Sequence, residues 1–256
     1  MNTELLYEGG QMLSMVIAIV FAVFWAKYYG IGKLKAFLIS ITSQIVAFLL
    51  VFVLTWVENG FKNFGAQNAV RAYPFLLLIG LLEAKVFRVD FLRCVDYQAI
   101  AVPLSYGLGH FACLARMCCF GFCYQEGSSA YSVAHALTGT SQLPMQVFES
   151  VSSLLVFAVI VIVAVKTRFK ITGYLFALFQ ILFGGTRFFW EFLRDNDKLI
   201  KIAPMKGAVD SLGQPAVWGI SNLALWALAI FFAGVFFMIG LKVYYKKHPE
   251  AYGALN

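Results

Sequence analysis

Charge is what this chain has least of. Only 13% of its 256 residues are Asp, Glu, Lys or Arg, against 61% hydrophobic ones, too little charge to present a soluble surface. The sequence also lacks an internal repeat, a low-complexity tract, a heptad pattern and any linker long enough to separate two domains. Residues 1–256 therefore read as a single polytopic membrane domain. The signals of a cleavable leader are missing from the first apolar run too. The first apolar run, Met12 to Tyr28, follows Glu4 and Glu8 rather than Lys or Arg, and no small-x-small site comes after it, so it is expected to stay as a helix. The net charge of +7 sits in short basic clusters between apolar runs, where orientation signals belong. That placement argues against nucleic acid as a partner.

What is present is a series of apolar runs near the length of about 20 residues that crosses a hydrocarbon core of about 30 Å. They run from Met12 to Tyr28, Phe37 to Trp56, Tyr73 to Phe87, Tyr97 to Met117, Val147 to Val165, Ile171 to Trp190, and from beyond Pro215 to Lys242. Twelve Lys and Arg residues fall in four clusters: Lys27, Lys33, Lys35; Lys85, Arg88, Arg93; Lys166, Arg168, Lys170; Lys242, Lys246, Lys247. The positive-inside rule puts all four in the cytoplasm. The expected fold is an all-α integral membrane protein of seven transmembrane helices, with the amino terminus outside and the carboxyl terminus cytoplasmic. The segment from Val57 to Ala72, with Asn59, Gly60, Asn63, Gly65 and Asn68, reads as an external loop able to carry a short interfacial helix. Pro74 suits the first turn of the third span. No Lys or Arg occurs between Arg116 and Lys166, so the polar stretch Gln125 to Gln146 also lies outside. The loop after Trp190, with Asp195, Asn196, Asp197, Lys198 and Asp210, is external by the same alternation.

This topology brings ionisable groups to one depth. His110 lies in the outer half of the fourth span, with Arg116 near the surface. Glu149 opens the fifth span. Arg187 follows Ile171 by sixteen residues, a rise of about 24 Å at 1.5 Å per residue. Glu191 and Arg194 follow at i+4 and i+7, on the same helix face. An ionisable group in hydrocarbon costs about 2.5 to 3.5 kcal/mol on insertion scales, which makes the cluster a candidate site. Snorkelling of Arg187 to the headgroups with a local Glu191 pair is the structural alternative. At the inner end, Glu83 and Lys85 read either as a buried pair or as the end of span three.

Five cysteines give a second cluster. Cys118, Cys119 and Cys123 fall on the outward side, where a disulfide to Cys123 competes with simple packing as small apolar residues. His110 and Cys113, with Cys123 and His135, could be drawn as a soft-metal site, but their spacing matches no closed zinc pattern. His135 and His248 read as solvated.

Three stretches carry a family resemblance: Gly109-His110-Phe111-Ala112-Cys113 with Met117-Cys118-Cys119-Phe120-Gly121; Leu143-Pro144-Met145-Gln146-Val147-Phe148-Glu149; and Phe183-Gly184-Gly185-Thr186-Arg187-Phe188-Phe189-Trp190-Glu191-Phe192-Leu193-Arg194. In order and spacing the chain resembles the bacterial prolipoprotein diacylglyceryl transferases. The resemblance implies transfer of a diacylglyceryl group from phosphatidylglycerol to the thiol of a prolipoprotein lipobox cysteine, in lipoprotein biosynthesis. It implies a multi-pass protein of the bacterial cytoplasmic membrane with its site facing the outer leaflet, no cofactor and no metal. Its partners would be phosphatidylglycerol, a prolipoprotein signal peptide and membrane lipid.

The chemistry asks for a guanidinium to hold a phosphate, which suits Arg187, and for a base beside the acceptor thiol, which suits His110 by proximity. Glu191 would complete the catalytic set by orienting Arg187. Tyr106, Arg116, Gln146, Glu149 and Arg194 are the expected substrate-binding residues. The sequence departs from the family pattern where catalysis is centred. His110 replaces the signature Arg, Val70-Arg71-Ala72-Tyr73-Pro74 occupies the place of the family's His-Gly-Gly, and Phe183 replaces a Tyr. A catalytically silent relative that binds anionic phospholipid or lipoprotein segments is therefore the alternative. A small-solute transporter, suggested by buried charge alone, is disfavoured because no repeat is present.

Overall fold

The apolar runs become helices whose outward faces are themselves apolar. In the computed structural model, which describes residues 3–58, 60–61, 69–168, 170–195 and 198–249, the helices are α1 (Thr3–Trp25), α2 (Lys33–Glu58), α3 (Leu76–Phe87), α4 (Phe91–Ala112), α5 (Ser129–Thr138), α6 (Met145–Lys166), α7 (Tyr174–Glu191) and α8 (Asn222–Lys247). Among the described residues, α1 with the 3-10 turn after it, α2, α6 and α8 are long and apolar enough to cross a membrane. Leu13 and Val20 on α1, Leu49 on α2, Leu155 and Ile162 on α6, and Phe236 and Ile239 on α8 are all exposed. Such faces are stable against lipid, where every backbone polar group is satisfied within its own helix. The chain is a mostly helical membrane protein.

The helix of lowest hydropathy among the long ones takes the centre. α4 carries Asp96, Tyr97, Gln98, Tyr106 and His110, and it packs against α1, α3, α6 and α7, so its polar groups meet protein instead of lipid. Residues 94–101 of α4 are buried as a continuous run. Asp96 accepts hydrogen bonds from the backbone N–H groups of Gly173 at 2.7 Å and Phe176 at 2.9 Å, and so caps the start of α7 from a neighbouring helix. α7 in turn lies close along α8. A Cβ on Gly184 would sit 2.6 Å from the Phe231 nitrogen and 2.8 Å from the Ala227 oxygen, so only glycine permits this approach.

The fold is not purely helical, which corrects the all-α expectation. β1 (Cys123–Tyr124), β2 (Lys198–Val209) and β3 (Pro215–Ser221) form an antiparallel sheet in that order. It occupies the segment read as an irregular loop after the sixth apolar run, and its underside buries Phe122, Met205, Ala208 and Ala216. Strand β3 takes up the residues after Pro215, so the last helix starts only at Asn222. Pro74 lies in a 3-10 helix, Ala69–Phe75, and not in the first turn of α3. α4 ends at Ala112, five residues short of the expected Met117, because the chain turns at Cys113. Of the polar positions expected in loops, Asn59, Asn63, Gly65, Asn68, Asn196 and Asp197 lie outside the described residues.

Glu83 is not paired with Lys85. It is buried, and it accepts from Thr42 at 2.8 Å and Ser43 at 2.9 Å, with the Gln98 amide donating to its other oxygen. At this end of the bundle, Lys33, Lys35, Arg88 and Arg93 surround a cavity of about 620 Å³. The Tyr245 hydroxyl donates to the Thr172 carbonyl at 2.8 Å, which brings the last basic cluster to the same end. The opposite end, where α4 and α7 finish and α6 and α8 begin, carries the sheet.

Candidate functional site

Glu149 is the hub at the sheet end. It sits in the first turns of α6, buried, and four side chains from three other segments meet its carboxylate. From α4, the Tyr106 hydroxyl donates to Oε2 at 3.0 Å and His110 Nε2 lies 2.8 Å from the same oxygen. From α7, Arg187 Nη1 pairs with Oε2. From the turn after α7, Arg194 Nη1 donates to Oε1 at 2.8 Å. Burial at this depth is tolerable only because charge is matched locally and the hydrogen bonds are many.

The i, i+4 spacing places Tyr106 and His110 on one face of α4, where their rings stack with centroids 4.9 Å apart. The same spacing pairs Arg187 with Glu191 on α7. Arg187 Nη1 also donates to the Tyr106 hydroxyl at 3.2 Å, so the phenol bridges the guanidinium and the hub carboxylate. Glu191 is fixed from its other side by Ser221, whose Oγ donates to Oε2 at 3.0 Å while accepting from the Ala224 N–H at 3.1 Å as the cap of α8.

Arg194 reaches the cluster differently from the expectation of one continuous helix face. α7 ends at Glu191, and Arg194 forms an isolated antiparallel bridge with Gly121. A Cβ on Gly121 would lie 2.5 Å from the Leu193 oxygen, so the absence of a side chain lets the two segments pair and sets where the arginine points. Burial opposes the Arg194 charge, but Glu149, Cys119 and Glu191 more than offset it and hold its pKa well above the ordinary value.

Tyr106, His110, Glu149, Arg187, Glu191 and Arg194 are thus brought together. Gln146, one turn before Glu149, borders them: its amide nitrogen donates to the Cys118 carbonyl, and its buried Oε1 has no partner among the described residues. Arg116 is not in the cluster. It is exposed, its guanidinium 5.1 Å above the Tyr7 ring, because the chain turns after Ala112 and carries it outward. Two further residues join the site. Ser221 contacts Glu191, and Lys198 Nζ donates to the Glu191 carbonyl at 2.8 Å and the Arg194 carbonyl at 3.0 Å. Burial lowers the Lys198 pKa despite Glu191 nearby. Both come from the hairpin, and no periodicity or spacing in the sequence signals that the hairpin folds back onto the site.

Arg187 Nε and Arg194 Nε are buried with no hydrogen-bond partner among the described residues. A cavity of about 270 Å³ lined by Cys118, Cys119, Gln142 and Arg194 opens beside Arg194. The arrangement therefore has two fixed cations with donors to spare, an imidazole backed by a carboxylate, and an opening. That combination can hold an anionic oxygen group and move one proton.

All five cysteines are free thiols. Cys113, Cys118 and Cys119 lie close together, and the Cys118 thiol donates to the Cys113 carbonyl at 3.8 Å. The neighbouring Cys113 and then Cys118, with Arg194 and His110 near, draw the Cys119 thiol well below the usual range. Cys113 and Cys118 are pushed up, first by that interaction with Cys119 and then by burial. His135 is exposed on α5, stacked on Tyr131 with centroids 5.6 Å apart.

Comparison with known proteins places this geometry in context. The chain is similar to the phosphatidylglycerol–prolipoprotein diacylglyceryl transferase of Chlorobaculum tepidum, with 28% identity over 142 residues, 54% of this chain and 48% of that protein. The match thus spans about half the length of the Chlorobaculum protein. Two proteins of the same name from Ehrlichia ruminantium, strains Welgevonden and Gardel, are each 25% identical over 207 residues, 72% of this chain and 78% of theirs. The sequence profile described as prolipoprotein diacylglyceryl transferase matches residues 10–240, far more than half of the chain. The protein belongs to the prolipoprotein diacylglyceryl transferase family, a family of transferases.

Proposed function

We propose that this chain transfers the diacylglyceryl group of phosphatidylglycerol to the lipobox cysteine of a prolipoprotein. The observation that carries the reading is the pair of buried guanidiniums, Arg187 and Arg194, held by Glu149 and Glu191 with neither Nε hydrogen-bonded among the described residues, in a chain matching the family from residue 10 to residue 240. The acceptor sulfur attacks the diacylglycerol carbon bonded to the phosphate oxygen. A carbon–sulfur bond forms, the carbon–oxygen bond breaks, and its electron pair leaves with glycerol phosphate. His110 takes the thiol proton, and the adjacent Glu149 carboxylate stabilises the imidazolium. Arg187 and Arg194 hold the phosphate as charge grows on the leaving oxygen, and a planar fork does this better than a point charge. Tyr106 and Glu191 orient Arg187, Gln146 offers a hydrogen-bond acceptor at the rim, and Arg116 meets the headgroup region from outside the cluster.

We read the seven helices α1–α4 and α6–α8 as spans of a bacterial cytoplasmic membrane, with the site facing the outer leaflet and the amino terminus outside. Basic residues gathered at the end away from the sheet support this orientation. α3 and the 3-10 helix before it provide about 32 Å of combined rise. The polar α4 and α7 are shielded by neighbours.

The test is to incubate purified protein with phosphatidylglycerol labelled in its headgroup and a lipobox peptide. Release of labelled glycerol phosphate that depends on the peptide thiol is the expected result. Absence of release from folded, lipid-supplied protein overturns the reading and leaves a binding protein.

A further inference from the structure

Three metal-binding donors meet where α4 ends, and the transfer chemistry uses only one of them. His110 Nδ1, Cys113 Sγ and Cys119 Sγ all lie within 4.8 Å of one another, and the His110 to Cys113 distance is 4.0 Å. Zinc bonds of about 2.3 Å to sulfur and about 2.0 Å to nitrogen put neighbouring tetrahedral ligands roughly 3.5–3.8 Å apart. Small side-chain rotations therefore close the set around one ion.

The imidazole is already oriented for this. Its Nε2 lies 2.8 Å from a Glu149 carboxylate oxygen, without hydrogen-bond geometry among the described residues, and its Nδ1 lies 4.0 Å from the Cys113 sulfur. A carboxylate behind a histidine is the usual outer support of a metal-bound imidazole, because it fixes the tautomer and raises ligand basicity. Cys119 adopts a left-handed backbone conformation at φ 64°, uncommon for a residue with a side chain. Cys118, whose thiol donates to the Cys113 carbonyl at 3.8 Å, is the next donor at hand. Access comes from the cavity of about 270 Å³, which Cys118 and Cys119 line. Two sulfurs and one imidazole nitrogen select a thiophilic d10 cation over magnesium or calcium.

We propose that His110, Cys113 and Cys119 form a binding site for one thiophilic cation of the zinc(II) class. Occupancy takes the Nδ1 lone pair and ties the imidazole to the rim, so it can no longer accept the acceptor thiol's proton. The site is a metal-operated brake on transfer. This consequence rests on the transferase reading; the binding itself does not. The set differs from a grouping with Cys123 and His135, since Cys123 is in β1 and His135 is exposed on α5.

Cobalt(II) titration of the reduced full-length protein in detergent tests the binding directly. One equivalent should give a thiolate-to-cobalt charge-transfer band that zinc(II) bleaches. Cys113→Ser with Cys119→Ser should abolish the band, and Cys119→Ala alone should weaken it, while Cys123→Ser should leave it intact. Absence of the band in the native protein, or its survival in the double variant, overturns the site. In the transfer assay, zinc(II) should slow the native protein by at least about tenfold, the scale of a lost general base, and a chelator should restore it. Zinc(II) should not slow the double variant relative to that variant's own metal-free rate. Binding without inhibition overturns the brake. If metal-free protein transfers nothing, the transferase reading fails, and the cobalt band still decides the site.

Discussion

Glu149 holds together groups that otherwise repel. Two arginines and an imidazole converge on it, and Arg187 and Arg194 are buried with it. Glu149→Gln keeps the shape and removes the charge. Breaking a buried pair in this way costs about 3–5 kcal/mol, so the thermal midpoint of the variant in detergent should fall clearly below that of the native protein. Arg187→Lys should fold but transfer more than about tenfold slower, because an ammonium cannot serve Glu149, Glu191 and a phosphate from one rigid plane. His110→Ala should slow transfer by a similar factor, and an unaffected rate would remove it as the base. Much of this site was readable in the sequence. Helical spacing links Arg187 with Glu191, and the depth argument brings Glu149 and His110 to their level. Arg116 lies exposed, as its expected place near the surface implied, but the end of α4 at Ala112, five residues before the expected Met117, cannot be seen in hydropathy. Ser221 and Lys198 could not be found, since a long-range fold-back decides their position.

At the scale of elements, the site depends on how segments end. α7 stops at Glu191, and Arg194 returns through its pairing with Gly121. Gly121→Ala forces a Cβ against the Leu193 carbonyl, which should displace Arg194 and lower transfer while circular dichroism keeps its helical signal. Ser221 caps α8 and contacts Glu191 together. Ser221→Ala should therefore lower stability by about 1 kcal/mol and also reduce the rate, whereas a purely structural cap would change only the former. The helices follow from their apolar runs, because in a bilayer length and hydropathy leave little choice. The hairpin does not. β2 is exposed over most of its length and its pairing with β3 is interrupted by register shifts, so no clean alternation marks it.

The whole molecule is arranged with polar groups along its central helix and apolar faces outward. Its two ends differ in chemistry: basic residues and the capped start of α7 at one, the Glu149 cluster and the sheet at the other. If the sheet end is external, an epitope inserted at Leu212, in the exposed hairpin turn, should be reached by antibody on intact spheroplasts, and one added after Lys247 only after permeabilisation. The reverse pattern would invert the topology. The central claim is that the Arg187, Glu149 and His110 assembly performs thiol alkylation by a phospholipid. Mass spectrometry of a lipobox peptide incubated with phosphatidylglycerol and purified protein tests it most directly. The account predicts a peptide heavier by one diacylglyceryl group on its cysteine with the native chain and far less with Arg187→Lys. An unmodified peptide with the native chain, or equal modification by both, would contradict it.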